Sequence, residues 1–171
     1  MMKVILIGFM GCGKTTVGRE LAKQMNLPQY DLDQMIVKNL NEPISNFFKE
    51  KGEAAFRDFE HQMLNKSLSL DGILSTGGGT PVQKQNQNLF HQTSVPIMML
   101  DASDDVIRKR LSLDANRPIV EKLGMDGIIK LKHQRDATYR MISNQIILTD
   151  HKSPLTIAKK IIENLKKESS K

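Results

Sequence analysis

The chain has 171 residues, 39% of them hydrophobic and 26% charged, with a formal net charge of +6 and one cysteine. That length fits a single domain, 1–171, able to bury a core. No apolar run is long enough to span a membrane, and a lone cysteine makes no internal disulfide. The opening "KVILIG" is too short for the apolar part of a secretion signal and runs straight into glycines. A cytoplasmic enzyme or binding protein is therefore expected. The positive charge suits a small anionic ligand or a nucleic acid, but with 5% aromatics there is no evident stacking platform for bases.

Lys3–Ile7 predicts a first strand, and "GFMGCGKTT" follows it from Gly8 to Thr16. Gly8, Gly13, Lys14 and Thr15 fit G-x-x-x-x-G-K-[ST] between a strand and a helix. Glycines let the backbone curl until successive N–H groups point inward at a triphosphate, and the helix start adds its positive end. Gly11, Cys12, Gly13, Lys14, Thr15 and Thr16 are thus the expected ATP cradle, with Lys14 a point charge for the outer phosphates and Thr15 a ligand for Mg²⁺. Cys12 reads either as a thiol made acidic by its surroundings or simply as a small residue. Val17, Leu21 and Met25 recur every fourth residue, as in a helix.

Pro28–Leu32 predicts the second strand, with "YDLD" placing Asp31 and Asp33 at its end. Strand alternation would send both side chains the same way. One can reach magnesium through a water while the other accepts a hydroxyl proton or a polyol hydrogen bond. Alternatively, Asp33 caps the helix "QMIVKNL". In the following helical stretch, "FRDFE" turns Phe56 and Phe59 toward the core, with Met63 and Leu64 beyond them. Arg57 and Glu60 share one face. The pair reads as a guanidinium fork held ready for a carboxylate or as a solvated ion pair.

Gly72–Thr76 predicts the third strand, which ends in Ser75 and Thr76 where phosphate-loop proteins commonly carry an acidic residue. Gly77, Gly78 and Gly79 follow, and three consecutive glycines suggest that backbone approaches a ligand closely. Val95–Asp101 predicts the fourth strand. Residues 112–127, "SLDANRPIVEKLGMDG", read as a mobile lid carrying Arg117, whose charge can neutralise a transferring phosphoryl group. "KHQRDATY" places Arg135 on a following helix as a second clamp for an anionic acceptor. Gln145–Thr149 predicts the fifth strand. The last helix should be capped by Ser153, start at Pro154 and bury Ile157, Ala158, Ile161, Ile162 and Leu165. Strands alternating with helices imply an α/β fold whose parallel sheet is covered on both faces and binds ligands beyond the carboxyl ends of its strands.

"GFMGCGKTT", "DLD", "GEAAFRDFE", "STGGG", "NRP" and the R-x-x-x-Y of Arg135–Tyr139 together resemble the shikimate kinases, in family order and over most of the chain. The resemblance implies a three-layer αβα P-loop kinase fold with a five-stranded parallel sheet in the order 2-3-1-4-5. It also implies a mobile lid near 112–127 and an acceptor-binding segment near 33–62. The implied reaction moves the ATP γ-phosphate to the 3-hydroxyl of shikimate, on the way to chorismate and the aromatic amino acids. Carried over by motif, Asp33 contacts the shikimate hydroxyls as base or orienting group, and Arg57 and Arg135 grip the carboxylate, with Glu60 holding Arg57. Gly78 and Gly79 line the acceptor site, Thr15 and, through water, Asp31 support Mg²⁺, and Arg117 closes over the phosphates. Lys14, Asp33 and Arg117 form the implied catalytic set. Arg110 meets adenine, with Arg108 a neighbour of similar character. The implied enzyme is a cytoplasmic monomer whose partners are shikimate and ATP, with no nucleic acid and no membrane. Two departures stand out: "RMIS" after Tyr139 lacks acidic and small residues, and Asn41 stands where a glycine is commoner. The rival readings are another small-molecule kinase, for gluconate or a nucleoside monophosphate, and a nucleotide-binding protein that associates with nucleic acid.

Overall fold

Five short apolar runs form strands in the computed structural model, which describes residues 1–113 and 118–168. They are β1 (Val4–Ile7), β2 (Gln29–Asp31), β3 (Ile73–Ser75), β4 (Ile97–Asp101) and β5 (Gln145–Leu148), each inside its sequence-predicted run. All pair in parallel, in the order β2-β3-β1-β4-β5. Every residue of β1 and β4 is buried although successive side chains face opposite ways. Only a sheet with helices on both faces buries such strands, which is why they read as unbroken apolar runs.

Among the described residues, seven α-helices connect and flank the strands: α1 (Lys14–Met25), α2 (Leu32–Leu40), α3 (Ile44–Ser67), α4 (Lys84–Gln92), α5 (Asp104–Ser112), α6 (Pro118–Ile142) and α7 (Pro154–Glu168), with a 3-10 turn at Thr80–Val82. The chain leaves β1 toward β2 and β3 on one side and later places β4 and β5 on the other. The switch point therefore lies at the carboxyl end of β1, where Gly8 begins the phosphate loop. α1 buries Val17, Leu21 and Ala22 and packs against α7, which buries Ile157, Ala158 and Ile161. The Ser153 hydroxyl accepts from the Thr156 N–H at 3.1 Å, so the predicted cap opens α7 just before Pro154.

Asn41 follows α2 at φ 55°, ψ 24°. Asparagine tolerates this left-handed position, so it replaces the commoner glycine without breaking the helix end. α3 is interrupted at Gly52 (φ 82°), and "EAAFRDFE" starts a fresh helical segment. Of the stretch 112–127, expected to be a mobile lid, the part from Pro118 onward is helical with a break at Gly124 (φ 65°). Residues 114–117, which include Arg117, lie outside the described residues. Phe56 is buried as expected, whereas Phe59 is only partly buried and packs on Phe47 with ring centroids 6.1 Å apart. After Tyr139, Arg140 bonds Asp136 and Asp101 at 2.6 and 2.9 Å, and β5 forms its register with β4 despite the unusual "RMIS".

Candidate active site

A cleft of about 480 Å³ opens beyond the carboxyl end of β1. The loop Gly11–Thr16 forms one wall, with Gly8, Gly11 and Gly13 at φ 137°, 79° and 103°, values that side chains rarely allow. Gly13 precedes α1 without a side-chain cap, which leaves the helix-start N–H groups for an anion. The Lys14 ammonium is buried and donates to the carbonyls of Gly8 and Phe9 at 2.8 and 2.9 Å. Cys12 is buried in the core cluster, 3.8 Å from that ammonium. Arg110 lines the cleft and donates to the Gly11 carbonyl at 3.0 Å and to the Thr149 hydroxyl at 3.2 Å. Arg108 pairs instead with Asp126 at 2.7 Å, so of the two arginines Arg110 is the one at the cleft. Thr149 and Lys152 also line the cleft, and no motif had marked them.

Asp31 and Asp33 both face this cleft, but not through strand alternation. The helix begins two residues earlier than read, because Asp31 is its cap: its backbone is extended and its Oδ1 accepts from the Gln34 N–H at 3.3 Å. Asp33 therefore sits in the first turn of α2 rather than at its cap. The other oxygen of Asp31 accepts from the Thr15 hydroxyl at 3.0 Å, so a hydroxyl and a carboxylate stand together at the mouth of the phosphate loop. Ser75 and Thr76, in the usual acidic position, instead brace α1 and β1 by donating to the carbonyls of Lys14 and Leu6.

The acceptor-side residues converge on the glycine triplet. A Cβ on Gly77 would stand 2.6 Å from an Asp33 carboxylate oxygen, and one on Gly79 would stand 3.1 Å from an Arg57 guanidinium nitrogen. Two of the three glycines thus let charged side chains lie flat against backbone. The middle one, Gly78, accepts through its carbonyl from the Tyr139 hydroxyl at 2.6 Å, and the Arg135 charge acts on that hydroxyl. Burial pushes the Tyr139 phenol up to about 12, so it stays a donor.

Arg57 and Glu60 are not a solvated pair. Glu60 is 2% exposed and takes Arg57 Nη1 at 3.0 Å on one oxygen and the Thr80 hydroxyl at 2.8 Å on the other. Arg57 also reaches the exposed Glu53 at 3.3 Å and lies 5.2 and 5.9 Å from the ring centroids of Phe56 and Phe48, so its plane is fixed. Glu53 could have been found from its position four residues before Arg57 on a helix. Thr80 carried no comparable signal.

The acidity of Asp33 departs clearly from the ordinary value. Crowding by the surrounding protein, although the side chain still meets water in the cleft, then Asp31 and Glu60, push its pKa up from 3.8 to about 6, against the opposing pull of Lys14 and Arg57. A carboxyl that titrates so near neutrality can hold a proton briefly and release it.

A parallel sheet with a phosphate loop at its switch point and a fixed cluster of anion-gripping groups beside it defines a phosphotransferase of the P-loop kinase fold. A family model described as shikimate kinase matches residues 10–166. The chain is 40% identical over 166 residues to a shikimate kinase of Limosilactobacillus fermentum, covering 96% of each. Its structure is similar to that of an Acinetobacter baumannii shikimate kinase in complex with shikimate, with a TM-score of 0.89 at 30% identity over 99% of this chain and 95% of that one. The chain belongs to the shikimate kinase family, whose members are phosphotransferases acting on a hydroxyl of shikimate. A Sinorhizobium meliloti gluconokinase shares the fold at 12% identity, with a TM-score of 0.64 over 98% of this chain and 93% of that one.

Proposed function

We propose that the ATP γ-phosphate passes to the 3-hydroxyl of shikimate, giving shikimate 3-phosphate and ADP, across the cleft between the phosphate loop and the glycine triplet. The convergence of Asp33, Arg57 and the Arg135–Tyr139 pair on Gly77–Gly79, beside the loop that holds Lys14, carries this reading. Arg57 and Arg135 grip the acceptor carboxylate. The exposed Glu53 is the partner that an incoming carboxylate can displace, while buried Glu60 stays and holds the guanidinium. The Gly78 and Gly79 backbone lines the acceptor. Asp33 orients the 3-hydroxyl and takes its proton as the oxygen attacks the γ-phosphorus and the bond to the ADP oxygen breaks.

On the donor side, Gly11, Cys12, Gly13, Thr15 and Thr16 cradle the phosphates through backbone and hydroxyl groups. Lys14 turns from the two loop carbonyls to the transferring group, and Arg117 closes over it from the lid near 112–127. Adenine lies toward Arg110, which lines the cleft together with Pro154 and Ile157. Thr15 and Asp31 offer oxygen donors of the kind Mg²⁺ takes, Thr15 directly and Asp31 through water. Among the described residues there is no cluster of three or more His, Cys, Asp or Glu side chains able to hold a metal, which suits an ion held mainly by phosphates and water. Bound there, Mg²⁺ would screen charge between the β- and γ-phosphates.

One chain supplies every group in this scheme, so the reading is a monomer, acting in the cytoplasm without nucleic acid or membrane. Among the described residues no helix is long and apolar enough to cross a membrane. The deciding experiment measures ADP release from ATP and Mg²⁺ with shikimate, gluconate or a nucleoside monophosphate added. Release that depends on shikimate alone supports the reading, and release driven equally by another acceptor overturns it. Arg57→Ala is expected to raise the shikimate KM about 10- to 100-fold, the range of a lost charge-assisted bond, and to leave the ATP KM within about twofold. Steady-state kinetics in both substrates check it.

A further inference from the structure

We propose that Thr80 is a positioning residue for the acceptor site, fixing Glu60 so that the Arg57 guanidinium holds a single orientation over Gly79. The proposal deepens the reading of Arg57 as the carboxylate grip and rests on it. Thr80 is fully buried in the 3-10 turn that follows the glycine triplet, and its hydroxyl donates to Glu60 Oε1 at 2.8 Å. Glu60 Oε2 takes Arg57 Nη1 at 3.0 Å. A buried carboxylate with a neutral donor on one oxygen and a guanidinium on the other has one satisfied orientation. Without the Thr80 hydroxyl, Glu60 is free to rotate and offer both oxygens to Arg57, which draws the fork away from an incoming carboxylate.

The turn that carries Thr80 is itself pinned. Fully buried Asn86, on α4, donates from Nδ2 to the Thr80 carbonyl at 3.0 Å. That bond orients the amide, so Asn86 Oδ1 faces His61 Nδ1 at 2.8 Å and the imidazole proton sits on Nδ1. Gln85 Nε2 donates to the Arg57 carbonyl at 2.9 Å. The turn and α4 thus fasten α3 at Arg57, Glu60 and His61, and among these bonds only the Thr80 hydroxyl touches the charge that holds the guanidinium.

The test compares kcat, both KM values and thermal stability for wild type, Thr80→Val, Thr80→Ala, Thr80→Ser and Arg57→Ala. Valine keeps the shape and removes the donor, serine keeps the donor, and alanine serves if valine prevents folding. Thr80→Val and Thr80→Ala are expected to raise the shikimate KM about tenfold with the ATP KM within about twofold, and Thr80→Ser to stay near wild type. The proposal is overturned if the valine and alanine variants lose stability while the shikimate KM stays put, if both KM values rise together, or if serine fails to rescue. A raised shikimate KM in Arg57→Ala beside unaffected Thr80 variants sinks this proposal alone. An unchanged KM in Arg57→Ala sinks the carboxylate-grip reading and the proposal with it.

Discussion

Asp33→Asn is expected to lower kcat by about 10²- to 10⁴-fold while leaving the ATP KM within about twofold, the signature of a lost proton acceptor rather than a lost binding contact. Asparagine matches the shape of the side chain that lies against Gly77, so the glycine triplet need not move. What disappears is the negative charge and the capacity to take a proton. A coupled ADP assay at saturating ATP checks the result, and unchanged turnover removes Asp33 from the reaction. In the wild type, kcat/KM should fall about tenfold per pH unit once the pH drops below about 6, where Asp33 becomes protonated. The variant should lack that limb.

The same substitution should stabilise the fold at neutral pH. The Asp33 pKa is raised on folding from 3.8 to about 6, so the native state binds the proton more tightly than the unfolded chain. By linkage, this group favours folding most below about pH 4, loses that contribution as the pH climbs to about 6, and stays unfavourable above it. A shift of about two units corresponds to about 3 kcal/mol, but the carboxylate faces an open cleft where water screens it, and about 1 kcal/mol is the expected gain. Denaturant titrations at pH 4 and 7.5 should show Asp33→Asn more stable than wild type at the higher pH and equal to it at the lower.

The strands were legible because a doubly covered parallel sheet demands short apolar runs, and β1, β3 and β4 contain little else. The phosphate loop was legible for a similar reason: its backbone curl needs glycines at fixed spacing after a strand. The start of α2 was less clear, since Asp31 and Asp33 are both good caps and only the backbone shows that Asp31 takes the role. The glycine triplet pointed to close approach, but the sequence left open what approaches. Gly77 and Gly79 make room for Asp33 and Arg57 from the same chain. The network of buried Glu60, Thr80 and Asn86 with half-buried His61 joins α3 to residues about 20 or more positions away, and no periodicity records such pairings. Hydroxyl and amide side chains look like surface residues until the fold buries them.

Lys14→Met should lower kcat by about 10²- to 10³-fold, the scale of losing one preorganised charge at the transferring group. The lysine is buried and its ammonium already bridges the Gly8 and Phe9 carbonyls, so the charge stands within the loop before any phosphate arrives. Methionine follows the same path without the charge. It strands those two carbonyls, which should cost about 1–2 kcal/mol and lower Tm by a few degrees without unfolding the domain. Lys14→Arg is expected to fail as well, because a planar fork with several donors does not fit a buried slot shaped for a single ammonium. Circular dichroism melts establish that each variant is folded, and single-turnover phosphoryl transfer measures the chemical step. A folded Lys14→Met protein that transfers phosphate at the wild-type rate would show that the loop holds nucleotide through its backbone alone, and the catalytic role given to the lysine would be wrong.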